Sequence, residues 1–275
     1  MSRIEKTFKS LKAQGKTGVI TYVTVGFPNV QATLDIVPAI VGAGADIIEL
    51  GVPFSDPLAD GTTIQHASQV ALDGGTTLGI CIDVCRKLRA ELPEVPLVFF
   101  GYYNPILAYG LERFGRDAKA AGADGVIVPD LPPEESEALL AVCKTHGIDV
   151  IFLLAPTSTE RRIEAVARLS SGFIYCVSLT GVTGARAATG SDVPSFLERV
   201  RRRTTLPLTV GFGISTAEHV RTIGKVAEAV AVGSALISAI DGPEEGRIGR
   251  ASAFVRELSV GAGAAPAVGN VGTGG

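Results

Sequence analysis

The stretch ADIIELGVPFSDPLAD, residues 45–60, decides how the chain is interpreted. Its first half has the apolar character of a buried β-strand, and Glu49 interrupts it. In such surroundings a charged, unpaired carboxylate costs several kcal/mol, or else its pKa rises until it holds a proton. We therefore expect Glu49 to be a catalytic group with a raised pKa. A structural ion pair or a backbone hydrogen bond is the alternative.

The second half of the stretch, from Pro53 onward, is rich in turn formers and delivers Asp60. Asp60 by itself also suits the cap of a helix that starts near Gly61. Because Glu49 ends a strand and Asp60 lies in the loop that follows, the two carboxylates are predicted to face one place. Such a pair is typical of acid–base catalysis.

On both sides of this stretch, short apolar runs rich in β-branched residues recur along the chain. They predict eight strands, at 19–25, 46–50, 97–100, 125–128, 150–154, 173–177, 208–210 and 230–232. Helical patterns lie between them, among them 31–43, 62–72, 78–92, 134–146 and 160–169. Strands that alternate with helices form a parallel sheet, and eight such units are the number that closes a barrel.

The predicted fold is therefore α/β, a (β/α)8 TIM barrel with extra helical segments. An amphipathic N-terminal helix is predicted because Ile4, Phe8 and Leu11 recur at helical spacing. An open doubly wound sheet is the alternative, and it is disfavoured because no GxGxxG motif follows the first strand. We expect one domain over residues 1–260 and a disordered Gly/Ala-rich tail over 261–275.

The composition argues against several classes of function. A net charge of -3 over 275 residues offers no basic surface for nucleic acid. The longest nearly apolar run, 226–240, contains Glu228 and is shorter than the ~18 residues of a membrane span. The cysteines and histidines are not at metal-ligand spacing, so we expect no metal and reduced thiols in the cytoplasm. Organelle targeting by the basic N-terminus is the alternative.

Glycine-rich loops follow the last three predicted strands. Gly184 follows the sixth strand, Gly213 the seventh, and Gly233 with Ser234 the eighth. Small residues leave backbone N–H groups open at the mouth of a barrel, and the last of these sets begins a helix. Together the loops predict a phosphate cradle, so the substrate is expected to carry a phosphate at one end.

Aromatic residues on or just after strand ends predict an apolar, planar part of the substrate. They are Tyr22, Phe100, Tyr102, Tyr175 and Phe212. Taken singly, each is equally well explained as core. The lysines lie in the N-terminal segment or in helical patterns, which argues against a Schiff-base aldolase. Acid–base chemistry without a cofactor is the remaining expectation.

Seven motifs, in order along the chain, resemble the tryptophan synthase alpha chain family. They are TYVTVGFPN from Thr21, ELGVPFSDPLADG from Glu49, FFGYYNPI from Phe99, GVIVPDLPPEE from Gly125, FLLAPTS from Phe152, SLTGVTGAR from Ser178 and TVGFGIS from Thr209. The resemblance runs to about Ser252 without a large insertion. It implies a lyase of tryptophan biosynthesis that cleaves indole-3-glycerol phosphate to indole and glyceraldehyde 3-phosphate without a cofactor.

The resemblance also implies roles for residues. Glu49 is then the acid–base group that protonates the indole C3 and accepts the proton of the glycerol hydroxyl, and Asp60 holds the indole N–H. The implied phosphate contacts are Gly184, Gly213, Gly233 and Ser234; the implied indole pocket is Tyr22, Phe100, Tyr102, Tyr175 and Phe212; and Thr183 and Arg186 belong to a mobile lid.

A partner is implied as well: a beta chain that carries pyridoxal phosphate, in an αββα heterotetramer. Pyridoxal phosphate is expected only in that partner. The positions that resemble partner-facing ones are Asp56, Pro57, Asn104, Pro105, Asp130 and Pro132. The alternatives are a stand-alone lyase, a phosphate-binding isomerase or epimerase on the same barrel, and a non-catalytic subunit that regulates a partner enzyme.

Overall fold

Parallel strands alternate with helices along the chain, as a computed structural model of residues 1–177, 192–211 and 213–263 describes. The strands are β1 (Gly18–Thr24), β2 (Ile47–Gly51), β3 (Leu97–Phe100), β4 (Gly125–Ile127), β5 (Asp149–Ile151), β6 (Leu153–Leu154), β7 (Ile174–Val177), β8 (Leu208–Gly211) and β9 (Ala229–Val232). The helices are α1 (Arg3–Gln14), α2 (Val30–Gly42), α3 (Thr62–Asp73), α4 (Leu78–Glu91), α5 (Tyr103–Tyr109), α6 (Leu111–Ala120), α7 (Glu137–His146), α8 (Glu160–Leu169), α9 (Asp192–Arg201), α10 (Ala217–Ile223), α11 (Ser234–Ile240) and α12 (Arg247–Gly261).

The strands form one parallel sheet in the order β5-β4-β3-β2-β1-β9-β8-β7-β6. β5 and β6 are two parts of one extended stretch, interrupted at Phe152, whose carbonyl accepts a hydrogen bond from the Tyr175 N–H at 3.1 Å. β5 pairs with β4 and β6 pairs with β7, so the two ends of the sheet are continuous in the chain and the barrel is nearly closed. The predicted TIM barrel is confirmed, and each of the eight predicted strands is present.

Two predicted boundaries are wrong. The helix predicted over 134–146 starts later, because Pro133–Glu135 forms a 3-10 turn before α7. The tail predicted from residue 261 cannot begin there, since Gly261 is the last residue of α12 and is buried, as is Ala262. Close packing explains the second error: a Cβ at 261 would lie 2.3 Å from the Ala217 carbonyl. Residues 264–275 lie outside the described residues, so the rest of that prediction is untested.

Two apolar layers stabilise the barrel. Strand residues that point outward, such as Ile48 and Leu50, are buried against the surrounding helices. Strand residues that point inward fill the interior together with Ile4 and Phe8 of α1. The α1 helix therefore closes the amino end of the barrel, and the predicted amphipathic helix is present. Each fully buried aliphatic side chain contributes roughly 1.5–3 kcal/mol relative to exposure.

Carboxylates at the amino end connect neighbouring segments. Asp124 accepts hydrogen bonds from Arg3 at 3.0 Å, from Arg89 at 2.6 Å and from the first N–H of β3 at 2.9 Å. Asp46 and Glu228 likewise each accept a backbone N–H near the start of a neighbouring strand. Within the described residues no helix is long and apolar enough to cross a membrane, and no group of three or more His, Cys, Asp or Glu could hold a metal ion.

Candidate active site

A cavity of about 330 Å³ opens at the carboxyl end of the barrel, where barrel enzymes bind their substrates. The side chains and backbone that line it are those of Tyr22, Glu49, Asp60, Gly61, Ile64, Phe100, Tyr175, Gly213, Ile214, Ser215, Ala231, Gly233, Ser234 and Ala235. The fold therefore brings together both predicted carboxylates, three of the predicted aromatic residues and three of the predicted phosphate contacts.

Glu49 lies on β2 and points into the barrel, because alternate residues of a strand face opposite sides and Ile47 also faces the interior. The residue is fully buried. Among the described residues neither of its carboxylate oxygens has a hydrogen-bond partner. Burial raises its pKa from 4.5 to about 8, as the sequence predicts. The alternative of a structural ion pair finds no support in the described residues.

Asp60 enters the cavity from the loop after β2. The loop is held by hydrogen bonds to the backbone of Asp60: its N–H donates to the Pro57 carbonyl at 3.1 Å and its carbonyl accepts from Gln65 at 2.8 Å. Burial raises the pKa of its carboxyl to about 6, and a hydrogen bond from the Tyr102 hydroxyl opposes that rise. The helix-cap alternative is wrong, since Gly61 is the N-cap of α3 and no side chain caps it.

Three aromatic rings form one wall of the cavity. The rings of Tyr22 and Phe100 meet edge to face at 5.6 Å between centroids, and those of Phe100 and Tyr175 at 6.1 Å. Two strand glycines make room for the tyrosines: a Cβ at Gly51 would lie 2.2 Å from the Tyr22 hydroxyl, and one at Gly211 would lie 2.1 Å from the Tyr175 hydroxyl. These rings provide the predicted surface for a planar, apolar group.

Tyr102 corrects the prediction of the indole pocket. It does not line the cavity. Its ring packs on Phe54 at 5.2 Å, and its hydroxyl accepts the Ala59 N–H at 2.9 Å and donates to the Asp60 carboxylate. Tyr102 therefore supports the loop that carries Asp60. Phe212 lies outside the described residues.

Three of the predicted phosphate contacts line the same cavity. Gly213 has a φ of +77°, which favours glycine, and Gly233 is the N-cap of α11, where Ser234 begins the helix. Backbone N–H groups at such positions suit an anion. Gly184 and the lid residues Thr183 and Arg186 lie outside the described residues.

Sequence reasoning missed several residues that line the cavity, among them Ile64, Ile214 and Ser215. Ile64 is in the first turn of α3, immediately after the loop that carries Asp60. Ile214 and Ser215 end the TVGFGIS motif. The available signal was proximity in sequence to predicted site residues.

The residues predicted to face a partner follow β2, β3 and β4, on the same side of the barrel as the cavity, and those after β3 lie in the first turn of α5. Asp56, Asn104 and Asp130 are exposed, and the three prolines beside them are half-buried. The Asp130 carboxylate accepts the Tyr103 N–H at 3.0 Å, which fixes the β4 loop against the start of α5.

A (β/α)8 barrel with two carboxyl groups of raised pKa in one cavity, at the carboxyl ends of its strands, defines an enzyme of the acid–base class. Residues 8–261 match the family model described as tryptophan synthase alpha chain. The chain belongs to the tryptophan synthase alpha chain family. It is accordingly a carbon–carbon lyase that acts on indole-3-glycerol phosphate in tryptophan biosynthesis.

Individual relatives agree with this assignment. The tryptophan synthase alpha chain of Roseiflexus sp. (strain RS-1) is 55% identical over 259 residues, which cover 94% of this chain and 99% of the relative. That of Geobacter sulfurreducens is 49% identical, and the match covers 94% of this chain and 98% of the relative. Among solved structures, tryptophan synthase subunit alpha from Legionella pneumophila matches with a TM-score of 0.88 at 34% identity, covering 95% and 98%. The resemblance found in the sequence is confirmed.

Proposed function

We propose that Glu49 and Asp60 together break the bond between the indole ring and the glycerol phosphate chain of indole-3-glycerol phosphate. The observation that carries this proposal is the state of Glu49: it lines the cavity, is fully buried, and has neither oxygen hydrogen-bonded among the described residues. Because its pKa is about 8, Glu49 holds a proton at neutral pH that it can give to a substrate.

The first step is protonation of the ring. Glu49 donates its proton to the indole C3, which makes the ring an indolenine cation whose positive charge is shared with the ring nitrogen. Asp60, with a pKa of about 6, is mainly an anion at neutral pH. It accepts a hydrogen bond from the ring N–H and stabilises the positive charge as that charge develops. The interaction is therefore stronger in the transition state than in the bound substrate, and the barrier is lowered.

The second step is cleavage. Glu49, now a carboxylate, takes the proton of the hydroxyl on the carbon attached to the ring. The carbon–oxygen bond becomes a carbonyl, the carbon–carbon bond breaks, and its electrons restore the aromatic ring. The products are indole and glyceraldehyde 3-phosphate, and Glu49 is protonated again. In this scheme each proton transfer belongs to a residue of the chain and no cofactor takes part.

Binding divides between the aromatic rings and the glycine-rich loops. Tyr22, Phe100 and Tyr175 contact the ring, which is consistent with their edge-to-face packing. The backbone N–H groups near Gly213 and Ser234 hold the phosphate. Gly184 as a further phosphate contact, Phe212 in the ring pocket, and Thr183 and Arg186 as parts of a lid stay predictions.

The released indole passes to a beta chain that carries pyridoxal phosphate, in an αββα assembly. Exposed apolar side chains support a partner on this face: Leu58, in the loop after β2, is 95% exposed, and Leu107, in α5, is 47% exposed. The proposed location is the cytoplasm, and the four free, buried cysteines are consistent with a reducing compartment.

Indole release from indole-3-glycerol phosphate tests the proposal. The purified chain is assayed alone and with a tryptophan synthase beta chain added. Cleavage that is slow alone and faster with the partner supports both the chemistry and the coupling. Equal rates would indicate a stand-alone lyase. No indole in either assay, with isomerisation of a sugar phosphate instead, would contradict the proposed reaction.

A further inference from the structure

The hydroxyl of Tyr22 is held in one place by its neighbours. Tyr22 is opposite Glu49 in the register of β1 and β2. Its ring extends over Gly51, where a Cβ would lie 2.2 Å from the hydroxyl oxygen and 2.4 Å from the ring carbon that carries it. Thr24, which is buried, donates a long hydrogen bond of 3.4 Å to that oxygen. Any side chain at position 51 would displace the hydroxyl.

This hydroxyl keeps a proton to donate. Burial, then the charge of Asp60 and, more weakly, that of Glu49, raise the pKa of Tyr22 far above its usual range, so the phenol stays neutral. Its oxygen accepts a hydrogen bond from the Thr24 hydroxyl, and the described residues place no carboxylate within hydrogen-bond distance of it. Of the two carboxylates in the cavity, Asp60 acts more strongly on this phenol.

Tyr175 provides a matched comparison in the same aromatic wall of the cavity. Its hydroxyl lies against Gly211 as that of Tyr22 lies against Gly51. Burial and the charge of Glu49 raise the pKa of Tyr175, and Asp60 is not among the groups that act on it. The two phenols thus occupy similar positions, and the charge of Glu49 acts on both, whereas that of Asp60 acts on Tyr22 alone.

Among the described residues, three titratable side chains lie around Asp60. Tyr22 on β1 and Glu49 on β2 share the cavity with it. Tyr102, the residue before α5, donates a hydrogen bond to its carboxylate, and the charge of Asp130 acts on Tyr102. The α3 helix contributes Gln65, which binds the Asp60 backbone carbonyl and leaves the carboxylate free to accept a second phenol.

We propose that Tyr22 is a positioning residue for Asp60: its hydroxyl, fixed by Thr24 and by the absence of a side chain at Gly51, donates to the Asp60 carboxylate when substrate fills the cavity. Asp60 is then held between two phenols, Tyr102 and Tyr22, which keep it ionised and directed at the ring nitrogen. This inference rests on the role proposed above for Asp60.

The test compares the pH dependence of kcat for indole release by the full chain with its beta chain, before and after Tyr22→Phe, because kcat reports the pKa values of the substrate-bound enzyme. A lost donor destabilises the carboxylate, so the acid limb, near pH 6 for Asp60, should move upward by roughly half to one pH unit. The substrate phosphate also ionises near pH 6, but it does so identically in both assays. Thr24→Val should give a smaller shift in the same direction, because it leaves the phenol less well oriented.

Tyr175→Phe is the matched control, since it removes the same atom from the same cavity beside the other carboxylate. Its acid limb should stay in place. An unmoved acid limb in Tyr22→Phe, or an equal shift in Tyr175→Phe, would overturn the inference. If Asp60→Asn abolishes cleavage in the same series, the proposed function survives that result; if Asp60→Asn leaves kcat unchanged, the role of Asp60 and the inference fail together.

Discussion

The two ends of the barrel use buried carboxylates in opposite ways. At the amino end, Asp124 is 6% exposed and accepts hydrogen bonds from two arginines and a backbone N–H. At the carboxyl end, Glu49 is 0% exposed, and the described residues offer it no hydrogen bond. Burial alone therefore does not decide what a carboxyl group does. With partners it connects parts of the chain, and without them it holds a proton that a substrate can take.

The largest expected effect is on activity at the carboxyl end of the barrel, where Glu49 lies. Glu49→Gln keeps the shape of the side chain but removes the proton donor, so kcat for indole release should fall by roughly 10²- to 10⁴-fold. The free energy of unfolding should not fall, because the described residues make no hydrogen bond to Glu49 that could be lost. Indole release and urea unfolding measure the two quantities, and Glu94→Gln at the exposed amino end is the control. A kcat within tenfold of the parent would contradict the assigned role.

The next largest effect is on stability at the amino end of the barrel, where Asp124 lies. Asp124→Ala leaves Arg89 without its carboxylate, and both side chains are largely buried, so the free energy of unfolding should fall by about 3–5 kcal/mol. Glu228→Gln is the matched control: its ion pair with Arg201 is more than a third exposed on both sides, so the loss should stay below about 1 kcal/mol. In both variants the folded fraction should retain its kcat. Equal losses in urea unfolding would remove the distinction between buried and exposed pairs.

A smaller effect is the pH dependence that Glu49 gives to the free energy of unfolding. Below pH 4.5 Glu49 is protonated in the folded and unfolded chain, and its contribution to stability is fully present. Between pH 4.5 and about 8 only the folded chain keeps the proton, so stability falls as pH rises. The slope is at most about 1.4 kcal/mol per pH unit.

Urea unfolding at pH 5, 6, 7 and 8 measures this slope against Glu49→Gln, which does not titrate at that position. As the pH rises, the free energy of unfolding of the variant should increase relative to that of the parent chain. Parallel curves would show that the folded chain releases the proton as readily as the unfolded chain, and the raised pKa of Glu49 would then be wrong.

The sequence predicts most of the barrel because its signals are local. Each strand is a short apolar run, and Glu49 stands out because a charge interrupts one of these runs. The division of the fifth strand at Phe152 depends instead on its two different neighbours, β4 and β7, which no local pattern records. The 3-10 turn at Pro133 likewise shortens a helix whose periodicity continues through it.

The site is predicted less completely, for the same reason. Tyr102 follows a strand just as a pocket residue would, but its direction is set by the distant Ala59 N–H and by Phe54. Ile64 lines the cavity from the first turn of α3, and the apolar periodicity of that helix does not distinguish a cavity residue from a core residue. Local sequence identifies which residues are near the site, whereas tertiary contacts determine which of them line it.

The α1 helix has a consequence for turnover. Because Ile4 and Phe8 fill the amino end of the barrel, with the Phe8 ring 5.8 Å from that of Phe173, the described residues close the interior at that end. Substrate and both products are therefore expected to pass through the carboxyl end. Whatever covers the carboxyl end of the barrel therefore controls admission and release together, and a product that lingers there delays the next round.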